Sequence, residues 1–427
     1  MAQDMTLLWG SGSPPCWRVM IALEEKNLQG YNQKLLSFEK MEHKSQEVLD
    51  INPRGQLPTF KHGDITVNES YAACFYLESQ FKSQGNKLIP DSPAEQALMY
   101  QRMFEGLTFY EKLIAVVYYD WFVPEGEKHD SALQRNKEVL GTELKLWEGY
   151  LQKDGTCFHQ SRSGGCGGCY KYRLLSQSTF TLHSHHRPST QPLPGAALHS
   201  DTMAKDMTLL WGSGSPPCWR VMIALEEKNL QGYNKKLLSF EKMEHKSPEV
   251  MSMNPRGQLP SFKHGNSVLN ESYGACMYLE SQFKSQGNKL IPDCPVEQAQ
   301  MYQRMFEGLT LSQKTGDVIY YNWKVPEGER HDSAVKRNKE SLSAELKLWE
   351  GYLQKASGSF LAGKTFSLAD VTVYPSIAYL FQFGLSEERY PKLTAYYNSL
   401  KDRPSIKTTR PPTWLESPQG QSILKDI

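Results

Sequence analysis

Hydrophobic and polar positions fall into two rhythms along this chain, and each rhythm occurs twice. Met5 to Trp9 is a short apolar run that reads as a strand, and Gly10-Ser-Gly-Ser-Pro-Pro15 behind it reads as a loop entering a helix with proline in its first turn. That helix, Cys16 to Lys26, places Val19, Met20, Ala22 and Leu23 at helical spacing. Tyr31 to Leu36 offers a second strand. Asn52-Pro-Arg-Gly-Gln-Leu-Pro58 turns into Thr59-Phe60-Lys61, which reads as a hairpin with Ile65-Thr66-Val67 across His62-Gly63-Asp64, before a helix from Tyr71 to about Phe81. From Ser92 the rhythm changes. Pro93 to about Tyr119 and Ser131 to Lys153 read as long helices, the second with Leu133, Leu140, Leu144, Trp147 and Leu151 near helical spacing. The pattern predicts an α/β domain followed by an all-α one.

Met1 to Lys153 realigns on Met203 to Lys355 at a constant offset of 202 without a gap, with about four in five positions identical. So long a period holds whole domains, not solenoid repeats. The copies part after Leu-Trp-Glu-Gly-Tyr-Leu-Gln-Lys. The second continues from Ala356 to Ile427 in sequence of globular character, whereas the first enters Asp154 to Thr202, which has neither helical nor strand period. The expected organisation is an α/β domain at 1–82, a truncated helical domain at 92–153, a disordered linker at 154–202, a second α/β domain at 203–284 and a helical domain at 294–427. Truncation should leave apolar helix faces of the first copy partly uncovered. Cys157, His159, Cys166 and Cys169, with His183, His185 and His186, resemble a zinc site in composition, but their Gly-rich flanks supply no apolar core to hold one, and no metal is expected.

The formal net charge is +1, with acid and base interspersed, so no sustained basic face speaks for nucleic acid. No apolar run is long enough to span a bilayer, and the N-terminus lacks a basic segment followed by an apolar one. Eight cysteines without framework spacing fit reduced thiols and a cytoplasmic protein. Small, roughly neutral ligands are the better candidates.

Ser13-Pro14-Pro15-Cys16 occupies the slot that holds Cys-x-x-Cys in thioredoxin-type oxidoreductases. With a hydroxyl in the first position the attacking thiol is gone, yet a serine at a helix N-terminus can donate a hydrogen bond to a bound thiolate, or can simply cap the helix. Cys16 reads as a small buried apolar residue. Pro58, after Gln56-Leu57, is either a turn proline or a cis-proline that presents Leu57's backbone to a peptide ligand. Glu69-Ser70 before the helix at Tyr71 suits a ligand ammonium and carboxylate, and equally reads as a helix cap. Lys44 could balance a second carboxylate. Together these groups describe a site for a short peptide with a thiol, an α-amino acid end and a second carboxylate, which are the features of glutathione.

Ser-x-Pro-Cys-x-Arg-Val, then Asn-Pro-x-Gly-x-Leu-Pro, then Glu-Ser and a helical domain resemble the cytosolic glutathione transferases, most closely the rho class of fish, with similarity to the theta, zeta and tau classes in the serine motif. The resemblance covers nearly all of both copies and implies a thioredoxin-like domain followed by a helical one. It assigns the catalytic serine to Ser13 and Ser215, chosen over Ser11 and Ser213 by spacing to Cys16 and Arg18. It assigns glutathione binding to Lys44, Gln56, Leu57, Pro58, Glu69, Ser70, Lys246, Gln258, Leu259, Pro260, Glu271 and Ser272. Phe366-Ser367-Leu-Ala-Asp370 matches the family's folding motif. Met305, Phe306, Tyr320, Tyr321 and Trp323 are the expected electrophile lining, or else core packing. Glutathione is the implied co-substrate and an apolar electrophile its partner, with a homodimer or a pairing of the two copies within one chain. A glutathione-dependent peroxidase or reductase, favoured only if Cys218 is exposed, and a non-catalytic binder of hydrophobic ligands are the alternatives.

Overall fold

The apolar run that heads each copy becomes an inner strand of a four-stranded sheet. The computed structural model describes residues 2–153, 204–416 and 422–427. In the first copy β1 (Met5–Trp9) pairs in parallel with β2 (Asn32–Leu35) and antiparallel with β3 (Thr59–His62), which pairs antiparallel with β4 (Ile65–Val67). The placement follows composition: Met5 and Leu7 are fully buried, while all four residues of the edge strand, Asn-Gln-Lys-Leu, are exposed. Helix α1 (Pro14–Glu25) links β1 to β2 and buries Val19, Ala22 and Leu23. Helices α2 (Gln46–Ile51) and α3 (Ser70–Gln80) complete the domain, and α1 packs on α3. The helical part holds α4 (Pro93–Val117), the short α5 (Tyr119–Phe122) and α6 (Asp130–Lys153).

The second copy repeats this order with β5 (Met207–Trp211), α7 (Pro216–Glu227), β6 (Asn234–Leu237), α8 (Pro248–Met253), β7 (Ser261–His264), β8 (Ser267–Leu269), α9 (Ser272–Gln282), α10 (Pro295–Ile319), α11 (Tyr321–Lys324) and α12 (Asp332–Lys355). It then adds α13 (Leu368–Gln382), α14 (Pro391–Leu400), α15 (Pro404–Thr408) and α16 (Pro412–Glu416). Ser367 and Asp370 form a capping box at the start of α13. Asp370 is fully buried and accepts from Ser367 N–H at 2.9 Å, Leu361 N–H at 3.0 Å and the Tyr396 hydroxyl at 2.8 Å. Desolvation raises its pKa despite these donors. The motif therefore ties three segments of the helical domain to one carboxylate.

Helix α13 packs on both α7 and α10 and seals the second copy. Among the described residues nothing takes its place in the first copy. Trp17 is accordingly 51% exposed where Trp219 is 2%, and Ile21 is 45% exposed where Ile223 is fully buried. The expected linker at 154–202, with its Cys and His residues, lies outside the described residues.

The two copies pack on each other across a different face, one that each offers equally. Helix α3 packs on α10, and α9 packs on α4. Phe104 and Phe306 stack with centroids 5.7 Å apart, flanked by Tyr71 on Phe306 at 5.6 Å and Phe104 against Tyr273 at 5.6 Å. The ionic contacts are repeated with the copies exchanged. Arg54 pairs with Glu307 and Glu345 and donates to the Tyr352 hydroxyl at 2.8 Å. Arg256 pairs with Glu105 and Glu143 and donates to the Tyr150 hydroxyl at 3.4 Å. Toward the rim Arg135 meets Glu329, Arg337 meets Glu127, and His129 Nε2 lies 2.9 Å from His331 Nε2.

Candidate functional site

Ser13 and Ser215 stand where a sheet strand gives way to a proline-started helix. Each has extended backbone and accepts an N–H through its side-chain oxygen, Ser13 from Cys16 and Ser215 from Cys218, both at 3.4 Å. A hydroxyl that accepts in this way keeps its own hydrogen to donate, so capping the helix and holding a thiolate are compatible. Cys16 and Cys218 point into the core, accepting from Gly10 and Gly212 N–H at 3.4 Å. Burial pushes the Cys16 thiol up and takes Cys218 to about 11. A thiol so protonated is no nucleophile near neutrality, and the reductase alternative loses the exposed Cys218 it required.

The Leu57–Pro58 and Leu259–Pro260 bonds are cis and lie just ahead of β3 and β7. Asn52 and Asn254 brace this turn by donating to the Gln56 and Gln258 carbonyls at 2.9 Å. Gln56 and Gln258 are exposed, while Leu57 and Leu259 are buried. Lys44 and Lys246 reach the same turn, each donating at 2.9 Å to the carbonyl of Arg54 or Arg256.

Ser70 and Ser272 open α3 and α9, with Glu69 and Glu271 as the capping residues. Burial pushes both glutamates up to about 7, reinforced by repulsion from Glu307 on Glu69 and from Glu105 on Glu271, and opposed by Arg54 and Arg256. Carboxylates held in this state favour a cation beside them.

The second contributor to each of these corners was not found from sequence. Gln101 Oε1 accepts the N–H of Asn270 at 2.7 Å and of Glu271 at 3.3 Å, and Gln303 Oε1 accepts that of Asn68 at 3.2 Å. Each copy thus braces the turn that precedes the other's glutamate, and Gln101 reaches the glutamate's own N–H as well. The available signal was Gln101-x-x-x-Glu105 and Gln303-x-x-x-Glu307, polar pairs one helical turn apart on a face that is otherwise apolar.

These glutamates predict a pH dependence. An ammonium binds the ionised carboxylate, and a group with pKa about 7 is roughly 90% ionised at pH 8 and roughly 10% at pH 6. The affinity for S-methylglutathione, whose sulfur does not titrate, should fall up to about tenfold between pH 8 and pH 6. Calorimetric titration would measure this, and flat affinity over the interval would refute the ammonium assignment.

The residues expected to line an electrophile, or else to pack the core, fall in different surroundings. Met305 is fully buried in the core, and Phe306 stacks on Tyr71, Phe75 and Phe104 at the junction between the copies. The Tyr321 hydroxyl accepts the His331 N–H at 2.9 Å and is structural. Trp323 is exposed. Tyr320 alone keeps a place near the site, bonded at 2.5 Å to the hydroxyl of Tyr379, whose ring lies 5.8 Å from Trp414. Trp414 meets Trp219 edge-on at 5.2 Å, and Ser213 Oγ lies 2.9 Å from Thr413 Oγ1. The C-terminal segment therefore lies over the loop that carries Ser215. Nothing in the sequence indicated that Tyr379 and Trp414 lie beside this loop, because apolar periodicity separates buried from exposed faces and says nothing of which loop a buried face borders.

The glutathione S-transferase N-terminal domain family matches residues 12–80 and again 214–282, and the C-terminal domain family matches 312–411. Glutathione S-transferase A of Pleuronectes platessa is 84% identical over 225 residues, 53% of this chain and 100% of that protein. Glutathione S-transferase 1 of Dianthus caryophyllus is 31% identical over 198 residues, 45% of this chain and 86% of its own. A crystal structure of a glutathione S-transferase from the Antarctic clam Laternula elliptica is 39% identical, covering 52% of this chain and 99% of its own, with a TM-score of 0.46. The chain belongs to the glutathione S-transferase family. Two matches to the N-terminal domain, and a relative that spans only about half the chain, fit a tandem duplication.

Among the described residues no helix is long and apolar enough to cross a membrane.

Proposed function

We propose that this protein joins the sulfur of glutathione to apolar electrophiles, with Ser215 as the principal thiolate-holding residue and Ser13 as its counterpart in the first copy. The observation that carries this reading is a hydroxyl at each helix start that accepts a backbone N–H and so retains a hydrogen to donate, beside a buried and inert cysteine. The γ-glutamyl end would meet Glu271 and Ser272, the cysteinyl backbone the turn of Gln258, Leu259 and Pro260, and the glycine carboxylate Lys246. Residues Glu69, Ser70, Gln56, Leu57, Pro58 and Lys44 would do the same in the first copy. A free thiol of pKa about 8.5 is only a few per cent ionised at pH 7, so stabilising the thiolate raises the reactive fraction directly. The thiol proton leaves to water, the C–S bond forms and the electrophile's leaving group departs. In the second copy Tyr320, Tyr379 and Trp414 would wall the electrophile.

The proposal includes pairing of the two copies within one chain, supported by the reciprocal Arg54 and Arg256 ion pairs, and a cytosolic setting, supported by free cysteines at positions 16, 74, 218, 276 and 294. Incubating the whole chain with glutathione and 1-chloro-2,4-dinitrobenzene tests it. Thioether should form, with release of chloride, well above the uncatalysed rate. Saturable glutathione binding without thioether would instead leave a non-catalytic binder.

A further inference from the structure

Arg220 is 4% exposed, and among the described residues no carboxylate lies within ion-pairing distance of it. Its guanidinium instead donates to four neutral oxygens: Thr372 O at 2.7 Å, Ser376 Oγ at 2.8 Å, Ser312 Oγ at 3.2 Å and Ser272 Oγ at 3.3 Å. It also lies over the Tyr273 ring, 4.8 Å from the centroid. A buried cation without an anion is unfavourable by several kcal/mol unless something compensates for it. Hydrogen bonds to neutral groups compensate in part, and they leave the charge itself unbalanced.

The first copy holds the equivalent arginine, only partly buried and within the field of the Glu69 carboxylate. Arg18 donates to Ser70 Oγ at 2.6 Å and lies 4.1 Å from the Tyr71 ring centre. In both copies the side-chain hydrogen bond retained is to the serine that opens α3 or α9, with the ring of the next tyrosine beneath the guanidinium. A serine oxygen that accepts from arginine is left with its own hydrogen to give away, beside the free N–H groups of the helix's first turn. All of these donors then suit one anion.

We propose that Arg220 is a positioning residue for the α-carboxylate of the γ-glutamyl group: it fixes the Ser272 hydroxyl as a donor, and the ligand carboxylate supplies the missing counter-charge. Three of its four oxygens, on Thr372, Ser376 and Ser312, belong to the helical domain. The helical domain thereby sets the grip of the α/β domain on glutathione. In the first copy Tyr110 stands where Ser312 stands in the second, and no counterpart of α13 is present among the described residues, so Arg18 is held less firmly. The proposal rests on the reading of Ser272 as the γ-glutamyl contact.

The test uses the full chain carrying Ser13→Ala, so that turnover reports the second site, with glutathione compared against 4-aminobutyryl-cysteinyl-glycine, which lacks only that carboxylate. Arg220→Gln should raise KM for glutathione by about tenfold to a hundredfold, the loss expected for a charge-assisted contact, with kcat changed less than about threefold. KM for the decarboxylated peptide should barely move. Arg220→Lys should recover part of the loss. Ser376→Ala, which keeps the charge and loosens its anchor, should raise KM for glutathione alone by a few-fold, and it carries the test if Arg220→Gln does not fold. A rise in KM of equal size for both peptides, or no rise for glutathione, overturns the proposal. If the two peptides have equal KM before any change at Arg220, the γ-glutamyl reading of Ser272 is what fails.

Discussion

Replacing Ser215 by alanine should lower the conjugation rate of the whole chain by about 10²- to 10³-fold, the loss typical for one donor to a developing or stabilised anion. Affinity for S-methylglutathione should hardly change, since that ligand carries no thiolate. The loss falls on the thiolate and spares the fold, because the cap that Ser215 provides is a single 3.4 Å bond to Cys218 N–H, and losing a cap costs about 1 kcal/mol. Ser13→Ala should remove only a small part of the turnover. The first copy has the same serine geometry, but its loop lacks the cover that Thr413 and Trp414 give the second. A methyl group added at Gly214 would meet Thr413 Oγ1 at 3.3 Å and Trp414 Nε1 at 3.5 Å, whereas one at Gly12 would meet nothing within 4 Å. An electrophile at the first site has less wall to lie against and more water around it. Steady-state rates of the two single variants decide the ranking, and equal losses would mean that the C-terminal segment contributes nothing to turnover. Ser213→Ala serves as the control, because Ser213 is engaged with Thr413 and its removal should be felt far less than that of Ser215.

What could be read from sequence was whatever a local pattern controls. The strand at Met5, the proline-started helix, the hairpin around Gly63 and the capping box at Ser367 each depend on residues within a few positions of one another. The correspondence of the copies was legible for the same reason, since identity at fixed offset needs no tertiary knowledge. Arg54 and Arg256 show where that ends. A lone arginine in Asn-Pro-Arg-Gly reads as a solvated turn residue, and nothing nearby indicates that its partners lie some 250 or 110 positions away. Glu105, Glu143, Glu307 and Glu345 were the better clue. They are almost fully buried, and a carboxylate on a buried helix face needs a cation from somewhere. For Phe306 the sequence left ligand lining and core packing both open, because an apolar helix face does not say whether a ligand or another helix covers it; here it stacks on Phe104 and Tyr71 of the other copy.

Removing both arginines, by Arg54→Ala with Arg256→Ala, should weaken the junction between the copies and lower the melting temperature. The guanidinium groups lie almost wholly out of water, with side chains 7% and 6% exposed, against glutamates at 0–2%. At that depth the net worth of the pair matters less than the state left by deleting one side. Glu307 and Glu345 would lose their shared partner, as would Glu105 and Glu143, and stranding a buried charge costs about 3–5 kcal/mol. Neighbouring cations soften this, since Arg304 pairs with Glu307, Arg102 with Glu105 at 2.7 Å, and Lys112 with Glu143 at 2.6 Å. The glutamates should then either hold the copies together at lower stability or draw water into the junction and part them. In both cases the melting temperature falls by several degrees, Glu271 loses Arg256 and Glu69 loses Arg54, the stronger of the two cations that oppose its rise in pKa. Glutathione affinity should therefore fall at both sites although neither arginine is expected to touch the ligand. Adding Glu105→Leu and Glu307→Leu to the double variant removes one stranded charge on each side and should restore part of the stability, because well-packed apolar replacements of buried ion pairs are often neutral or favourable. Unchanged melting in the double variant would show that the stacked Phe104 and Phe306 face, and not the ion pairs, holds the copies together.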